Sequence, residues 1–263
     1  MLAESLTELG SSESINTHTL ELPRMINPPK GADVSLFESW QPTPEGAAIH
    51  RGERTAVIAD VHLGYEWARG AAGDCVPAHS LAETLGRLER VLGRAAIARL
   101  IVAGDLVESP RPCRRTAADL RRLRDWLDAR RVSLMVLEGN HDRSLFAGSQ
   151  PGTAAIRESA ASCVVAGWTI GHGHRPIAGD RTISGHFHPV VRVRGIGAPC
   201  FVVGPGRIVL PAFSSNAAGS DIVTARVPTE WLAPPLRCMV STGLELLDLG
   251  PLPALRRSRH LLL

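Results

Sequence analysis

Residues 55–66 read T-A-V-I-A-D-V-H-L-G-Y-E, a short apolar run that ends in a carboxylate and an imidazole. The run 55–60 is made of β-branched and small apolar residues, which predicts a buried strand. Asp60 and His62 follow as D-V-H. Because alternate residues of an extended segment point the same way, both side chains can converge on one point. The stretch therefore predicts a strand whose carboxyl end carries polar groups.

Strands and helices alternate on the C-terminal side of this stretch. Apolar residues at helical spacing predict helices over 78–94 and 116–131, and short apolar runs predict strands over 99–104 and 133–138. After residue 161, Gly and Pro separate short strand candidates at 163–170, 181–184, 190–193, 201–203 and 207–210, and 236–247 adds two more. This order is typical of an α/β protein whose second half completes a two-sheet sandwich.

Composition excludes several classes of protein. The chain has 263 residues, 44% hydrophobic and 21% charged, which excludes disorder over the whole length, collagen and coiled coil. No apolar run approaches the roughly 20 residues of a membrane-spanning helix, and the N-terminus lacks a signal-peptide pattern. The five cysteines are scattered without a CxxC pair. We expect a soluble, cytoplasmic protein that does not contact a membrane.

Two segments differ from the average composition. Residues 1–40 are polar and without periodicity, which indicates a polar N-terminal tail that is disordered. The alternative is that the tail results from an early start codon, with Met25 as another candidate start. The window 111–131 holds eight arginines. A solvated helix face is the simpler interpretation of this window, and a phosphate-contacting surface is the alternative.

Ionisable residues follow each of the predicted strands. Asp105 lies in G-D-L, and Asn140, His141 and Asp142 form G-N-H-D; His172 and His174 lie in G-H-G-H, and His186 and His188 in G-H-F-H. Ligands in α/β sheets bind at the carboxyl ends of strands. Taken singly, each residue is explained as a cap or a turn. Six of the ten histidines fall in these motifs, which favours one shared pocket.

The residue types indicate a metal site. Imidazole and carboxylate ligands without thiolate suit Mn, Fe or Zn. About seven ligands exceed the needs of one ion, and a bridging carboxylate implies two. Two ions form a clamp for in-line displacement at phosphorus, in which a water is activated and phosphoryl charge is neutralised.

The ordered set D-V-H, G-D, G-N-H-D, H-G and G-H-x-H resembles the calcineurin-like metallophosphoesterase superfamily. More narrowly, 59–66 (ADVHLGYE), 185–189 (GHFHP) and 200–213 (CFVV…VLPAF) resemble the bacterial ligase-associated PdeM-type phosphoesterases, which are related to the SbcD-type repair nucleases. The resemblance implies a four-layer α/β/β/α metallophosphoesterase sandwich over residues 41–263 and a centre of two divalent metal ions, with Mn first and Fe or Zn as alternatives.

Carried over residue by residue, the resemblance also assigns roles. The first metal would be held by Asp60, His62 and His188, the second by Asn140, His172 and His186, and Asp105 would bridge both. His141 would assist the leaving group or stabilise the transition state, and Asp142 would orient His141 by accepting from its ring. His174 is the alternative to His172. Glu108 is expected to support the site without ligation, and Arg143 is either a phosphate contact or a surface residue.

The sequence therefore predicts a metal-dependent phosphoesterase that uses a dinuclear-metal-activated water. The resemblance favours a phosphodiesterase or nuclease linked to DNA repair, with DNA as the substrate and a ligase or helicase as partner. Two alternatives remain, a hydrolase of a small phosphomonoester or nucleotide metabolite and a non-catalytic scaffold. Every motif position is filled, which argues against the scaffold.

Overall fold

A computed structural model describes residues 39–146, 160–232 and 236–258. The predicted tail over 1–40 lies outside these residues apart from its last two positions, and it stays a prediction. Within the described residues, no helix is both long and apolar enough to cross a membrane.

The first sheet has five strands in chain order. They are β1 (Gln41–Pro42), β2 (Ala48–His50), β3 (Thr55–Ile58), β4 (Arg99–Val102) and β5 (Ser133–Val136). Strands β3, β4 and β5 run parallel, so their carboxyl ends meet at one edge of the sheet. The connections carry the helices α1 (Tyr65–Ala71), α2 (Ser80–Arg94) and α3 (Arg114–Ala129).

The second sheet has nine strands. They are β6 (Ser162–Val165), β7 (Trp168–Gly171), β8 (Thr182–Ser184), β9 (Pro189–Val193), β10 (Ile196–Gly204), β11 (Arg207–Val209), β12 (Ser220–Asp221), β13 (Arg237–Ser241) and β14 (Leu246–Pro251). Seven of them follow the order β12-β9-β10-β11-β8-β7-β6, while β13 pairs with β10 and β14. Helix α4 (Arg143–Phe146) precedes this sheet, and α5 (Leu252–Arg257) follows it.

Alternating side chains of the central strands separate two apolar layers. Ile58 and Val102 pack on the helix side of the first sheet, whereas Val57 and Ile101 face the second sheet. Because successive strand residues point to opposite faces, a strand that is covered on both sides is apolar at every position. A third cluster around Trp231 and Leu252 covers the outer face of the second sheet. The result is a four-layer sandwich, as predicted.

The strand predicted over 163–170 is wrong, because the chain reverses within it. Strands β6 and β7 form an antiparallel hairpin whose turn residues are Ala166 and Gly167. Both have a left-handed backbone, with φ of 49° and 76°, which is the conformation of a tight hairpin turn. Alanine is an uncommon residue at such a position, so the sequence carried only half of the usual turn signal. The two further strands predicted within 236–247 are confirmed, although β14 extends to Pro251.

Candidate metal centre

Five strand ends from both sheets bring the motif residues together. Asp60 and His62 follow β3, Asp105 follows β4, and Asn140 follows β5 in the first sheet. His172 follows β7, and His186 and His188 follow β8 in the second sheet. A single pocket at the carboxyl ends of strands therefore draws on both halves of the sandwich, in keeping with where α/β proteins bind ligands.

One group of ligand atoms consists of Asp60, His62 and His188, whose candidate donor atoms lie within 4.8 Å of one another. The Nε2 atoms of His62 and His188 are 3.5 Å apart. Asp60 Oδ1 is 3.2 Å from His188 Nε2, and the Asp60 side chain is fully buried. Three electron-pair donors thus face a common point.

A second group consists of Asp105, Asn140, His172 and His186. His172 Nε2 is the central atom: it lies 3.3 Å from Asp105 Oδ2, 3.1 Å from Asn140 Oδ1 and 3.2 Å from His186 Nδ1. Asp60 connects the groups, since its Oδ2 accepts a hydrogen bond from the His186 backbone N–H at 2.9 Å. The structure thus brings together all seven residues that the sequence singled out as metal ligands.

The electrostatics of the pocket fit a cation. Asp60 Oδ1 is buried and forms no aligned hydrogen bond among the described residues, but it lies 3.2 Å from His188 Nε2 and 3.6 Å from His172 Nδ1. A positive charge at this place, on a protonated imidazole or a metal ion, would stabilise it. Burial alone would lower the pKa of His172 and of His188, but Asp105 and Asp60 outweigh it and raise both pKa values. Burial opposes ionisation of Asp105, yet its hydrogen bond with His172 brings the pKa of Asp105 to about 2.

Outer contacts orient two of these imidazoles. His172 Nδ1 lies 3.0 Å from the Ala103 carbonyl oxygen, so Nδ1–H donates there and Nε2 keeps its lone pair for the second group. His62 Nδ1 lies 3.0 Å from Glu108 Oε2, an ion-pair distance without hydrogen-bond alignment, and its Nε2 faces His188. Histidines that bind metals in proteins are held in this way. Glu108 also forms a third group of candidate ligand atoms with His62 and His141, so its expected role without ligation stays a prediction. The Ala103 contact carried no sequence signal because it is made by the backbone.

His141 lies beside both groups, but its predicted partner is wrong. Its Nδ1 faces the carbonyl oxygen of Glu108, and its backbone N–H donates to Asp105 Oδ1 at 2.9 Å. Asp142 instead accepts from the backbone N–H groups of Val107 and Gly139, both at 3.1 Å. Asp142 is completely buried, and burial together with Asp105 raises its pKa to about 6. Asp142 therefore fixes the loops around the pocket and does not orient the His141 ring.

Glycines of two motifs allow the ligand loops to approach one another. A Cβ atom on Gly139 would lie 2.2 Å from the backbone nitrogen and Oδ1 of Asp105. A Cβ atom on Gly185 would lie 2.3 Å from Ala59 Cβ and 2.5 Å from Asp60 Oδ2. Any other residue would displace one of these carboxylates, which explains the glycine at the start of G-N-H-D and of G-H-F-H.

The backbone is left-handed at five of the seven candidate ligands. The φ angles are 57° at Asp60, 52° at His62, 52° at Asp105, 70° at His186 and 43° at His188. Non-glycine residues in this region cost on the order of 1 kcal/mol or more each and concentrate at functional sites. Strain of this kind at a cluster of Asp and His indicates selection for ligand direction rather than for stability.

Two residues that the sequence left open lie at the margin of the pocket. The ring centroid of His174 is 5.2 Å from that of His172 and 6.2 Å from that of His186, and its nitrogens belong to neither group of ligand atoms. Burial and the neighbouring His172 lower the pKa of His174. Arg143 is exposed at the first residue of α4.

The substitution Glu108→Ala should weaken metal binding by about 10- to 100-fold, because His62 loses the carboxylate that lies 3.0 Å from its Nδ1. Glu108→Gln should lose less, since it keeps the shape of the side chain and an oxygen beside Nδ1. Calorimetric titration of the metal-free protein with Mn²⁺ measures both, with Glu245→Ala at an exposed position as control. Equal affinities in wild type and Glu108→Ala would contradict this role for Glu108.

The fold is the α/β/β/α sandwich of the metallophosphoesterase type, and its pocket holds Asp and His clusters suited to metal ions. The chain is similar to a solved structure of the nuclease MPE from Pseudomonas putida, with a TM-score of 0.60 and 25% sequence identity. The similarity covers 80% of this chain and 100% of the Pseudomonas chain. No protein family profile and no curated protein sequence matches the chain.

Proposed function

We propose that this protein is a metal-dependent phosphodiesterase that cleaves nucleic acid. The observation that carries the proposal is the pair of adjoining ligand groups, with His172 Nε2 at 3.3 Å from Asp105 Oδ2 and His62 Nε2 at 3.5 Å from His188 Nε2. Two divalent ions held there would supply an activated water nucleophile and would neutralise the charge of the phosphoryl group. The similarity to the Pseudomonas nuclease supports a phosphodiester substrate.

The ligand residues have distinct tasks in this proposal. Asp60, His62 and His188 would hold one ion, and Asn140, His172 and His186 would hold the other. Asp105 would serve both, because its carboxylate belongs to the second group and the pKa of about 2 keeps it ionised. We favour Mn, since oxygen and imidazole ligands without thiolate suit it; Fe and Zn are the alternatives.

His141 is the residue that we assign to the leaving group. Its Nδ1 is turned to the Glu108 carbonyl, so the proton available to a substrate is the one on Nε2. That atom lies 3.9 Å from Asp105 Oδ2 and therefore faces the centre. A protonated imidazole here can stabilise charge on the phosphoryl oxygens and donate its proton to the departing alkoxide.

We extend the proposal to a role in DNA repair beside a ligase or helicase. The support is the resemblance of the motifs at 59–66 and 185–189 to the ligase-associated phosphoesterases and their nuclease relatives. This part of the proposal requires that the substrate is DNA, so its test follows the measurement of phosphodiester hydrolysis.

Hydrolysis of bis(p-nitrophenyl) phosphate and of p-nitrophenyl phosphate by the Mn-loaded protein tests the function. The expected result is turnover of the diester that exceeds turnover of the monoester and that disappears after treatment with a chelator. Preference for the monoester would replace the nuclease by a hydrolase of small phosphomonoesters. Binding of two ions without turnover of either compound would favour the scaffold interpretation.

A further inference from the structure

Helix α3 carries four exposed arginines on one face, Arg114, Arg115, Arg121 and Arg122, which we call the arginine stripe. At 3.6 residues per turn these positions fall within an arc of about 120°. The opposite face of α3 is buried against the first sheet through Leu120, Leu123 and Leu127. The stripe therefore points away from the core over about two helical turns.

The three carboxylates of α3 have polar partners other than Arg114 and Arg122. Asp119 is buried and accepts a hydrogen bond from Trp67 Nε1 at 2.8 Å, while Asp125 and Asp128 lie 3.3 and 4.0 Å from Arg124. Within the part of the chain that the structure describes, no carboxylate forms an ion pair with Arg114 or Arg122. Their positive charge is thus not offset locally, unlike the charge of Arg124.

The start of the stripe is connected to the metal centre by a short segment of chain and by a contact with Gly64. Glu108 contacts His62 and His141, and six residues later the chain reaches Arg114, a distance of at most about 21 Å along the chain. Thr116, in the first turn of α3, packs directly on Gly64, where a Cβ atom would lie 2.3 Å from Thr116 Oγ1. Gly64 is two residues from His62. The guanidinium of Arg115 is held 4.9 Å from the centroid of the Trp67 ring in α1.

We propose that the arginine stripe binds the phosphate backbone of a polynucleotide whose scissile bond lies at the metal centre. The proposal rests on the proposed function for the identity of that centre. Two helical turns span about 12 Å, so the stripe and the centre together cover at most about 33 Å. At about 3.4 Å per phosphate of one strand, this corresponds to at most about ten nucleotides. Guanidinium groups suit phosphate because their planar N–H donors bind two oxygens at once.

Binding of DNA by two charge-matched double variants, one within α3 and one at Arg124 of α3 and Arg130 just after its end, tests this proposal. Arg114→Gln/Arg122→Gln removes two charges from the stripe, and Arg124→Gln/Arg130→Gln removes two that are paired with Asp125, Asp128 and Glu89. Glutamine keeps helix propensity. The probe is a fluorescein-labelled 20-nucleotide phosphorothioate DNA, which resists cleavage, titrated with the Mn-loaded protein at 50–300 mM NaCl.

The stripe variant should bind about tenfold more weakly, and its slope of log K against log[salt] should be smaller by about 1.4, or 0.7 for each lost phosphate contact. The control variant should keep the wild-type slope. Equal slopes in wild type and stripe variant would overturn the proposal, and so would equal losses in the two double variants.

Diester hydrolysis and the salt dependence of DNA binding, measured together, distinguish a failure of this proposal from a failure of the proposed phosphodiesterase activity. If wild type hydrolyses bis(p-nitrophenyl) phosphate but the stripe variant keeps the wild-type salt slope, the stripe proposal fails and the phosphodiesterase stands. If wild type does not hydrolyse the diester but the stripe variant alone loses DNA affinity, the docking surface stands and the proposed chemistry fails.

Discussion

Asp105→Asn should lower kcat/KM for an aryl phosphodiester by at least about 10³-fold and should reduce the number of bound metal ions. The carboxylate of Asp105 is nearly completely buried and its pKa is about 2, so it provides a full negative charge between the two ligand groups. The amide keeps the shape and can still accept the His141 N–H, but it removes that charge. Losing a bridging anion weakens both ions together.

Metal content by plasma emission spectrometry and turnover of bis(p-nitrophenyl) phosphate measure this result. Asp125→Asn, at an exposed position of α3, is the matched control and should behave as wild type. A variant with full metal content and undiminished turnover would show that Asp105 does not bridge. Retention of one ion with loss of the other would show that Asp105 binds only one of the two ions.

His141→Ala should keep both metal ions and lower kcat by about 10²- to 10⁴-fold, the usual range for loss of a general acid. His141 belongs to neither of the two proposed ligand groups, and its ring is anchored outside them on the Glu108 carbonyl. KM should change little, because the missing proton is needed at the departing oxygen rather than for binding. The deficit should be smaller for a diester whose leaving group is a weaker base.

The control is His79→Ala, which removes an exposed histidine at the start of α2 that the site does not use. Comparing p-nitrophenyl and phenyl leaving groups separates a proton donor from a residue that only binds. If His141→Ala were to lose metal in the same assay, His141 would be a ligand, as its proximity to His62 and Glu108 permits. Equal deficits with both leaving groups would exclude proton donation.

Much of the sandwich could be predicted because its central strands are buried on both faces. Apolar runs such as 55–60 and 99–104 leave no other place for those residues, and the helices α2 and α3 carry clear helical periodicity. The short helices α1 and α5 were missed, since six or seven residues are too few for a periodic signal. The β6–β7 hairpin was missed because alanine occupies a turn position that usually carries asparagine or glycine.

Part of the candidate site could likewise be predicted from the sequence, and part could not. That the seven candidate ligands meet in one pocket could be predicted, because each of them follows the end of a strand. Their roles as metal ligands come from the family resemblance and stay a prediction. The wrong partner for His141 has a physical cause: adjacency in G-N-H-D suggests that Asp142 reaches the neighbouring ring, whereas its oxygens accept from the Val107 and Gly139 backbone. Every residue type has a backbone carbonyl, so the contacts made by those of Ala103 and Glu108 could not be predicted from the sequence.

The apolar layer between the two sheets has a consequence for metal affinity. Val57 and Ile101 of the first sheet pack in it with Phe201 of the second, and the ligand-bearing loops leave both sheets. The separation of the loops therefore depends on how thick that layer is. Metal–ligand distances are defined to within about 0.2 Å, and a close-packed core responds to the loss of a single methylene. Substitutions in this layer that leave every candidate ligand in place are therefore expected to alter the affinity of the pocket for a metal ion.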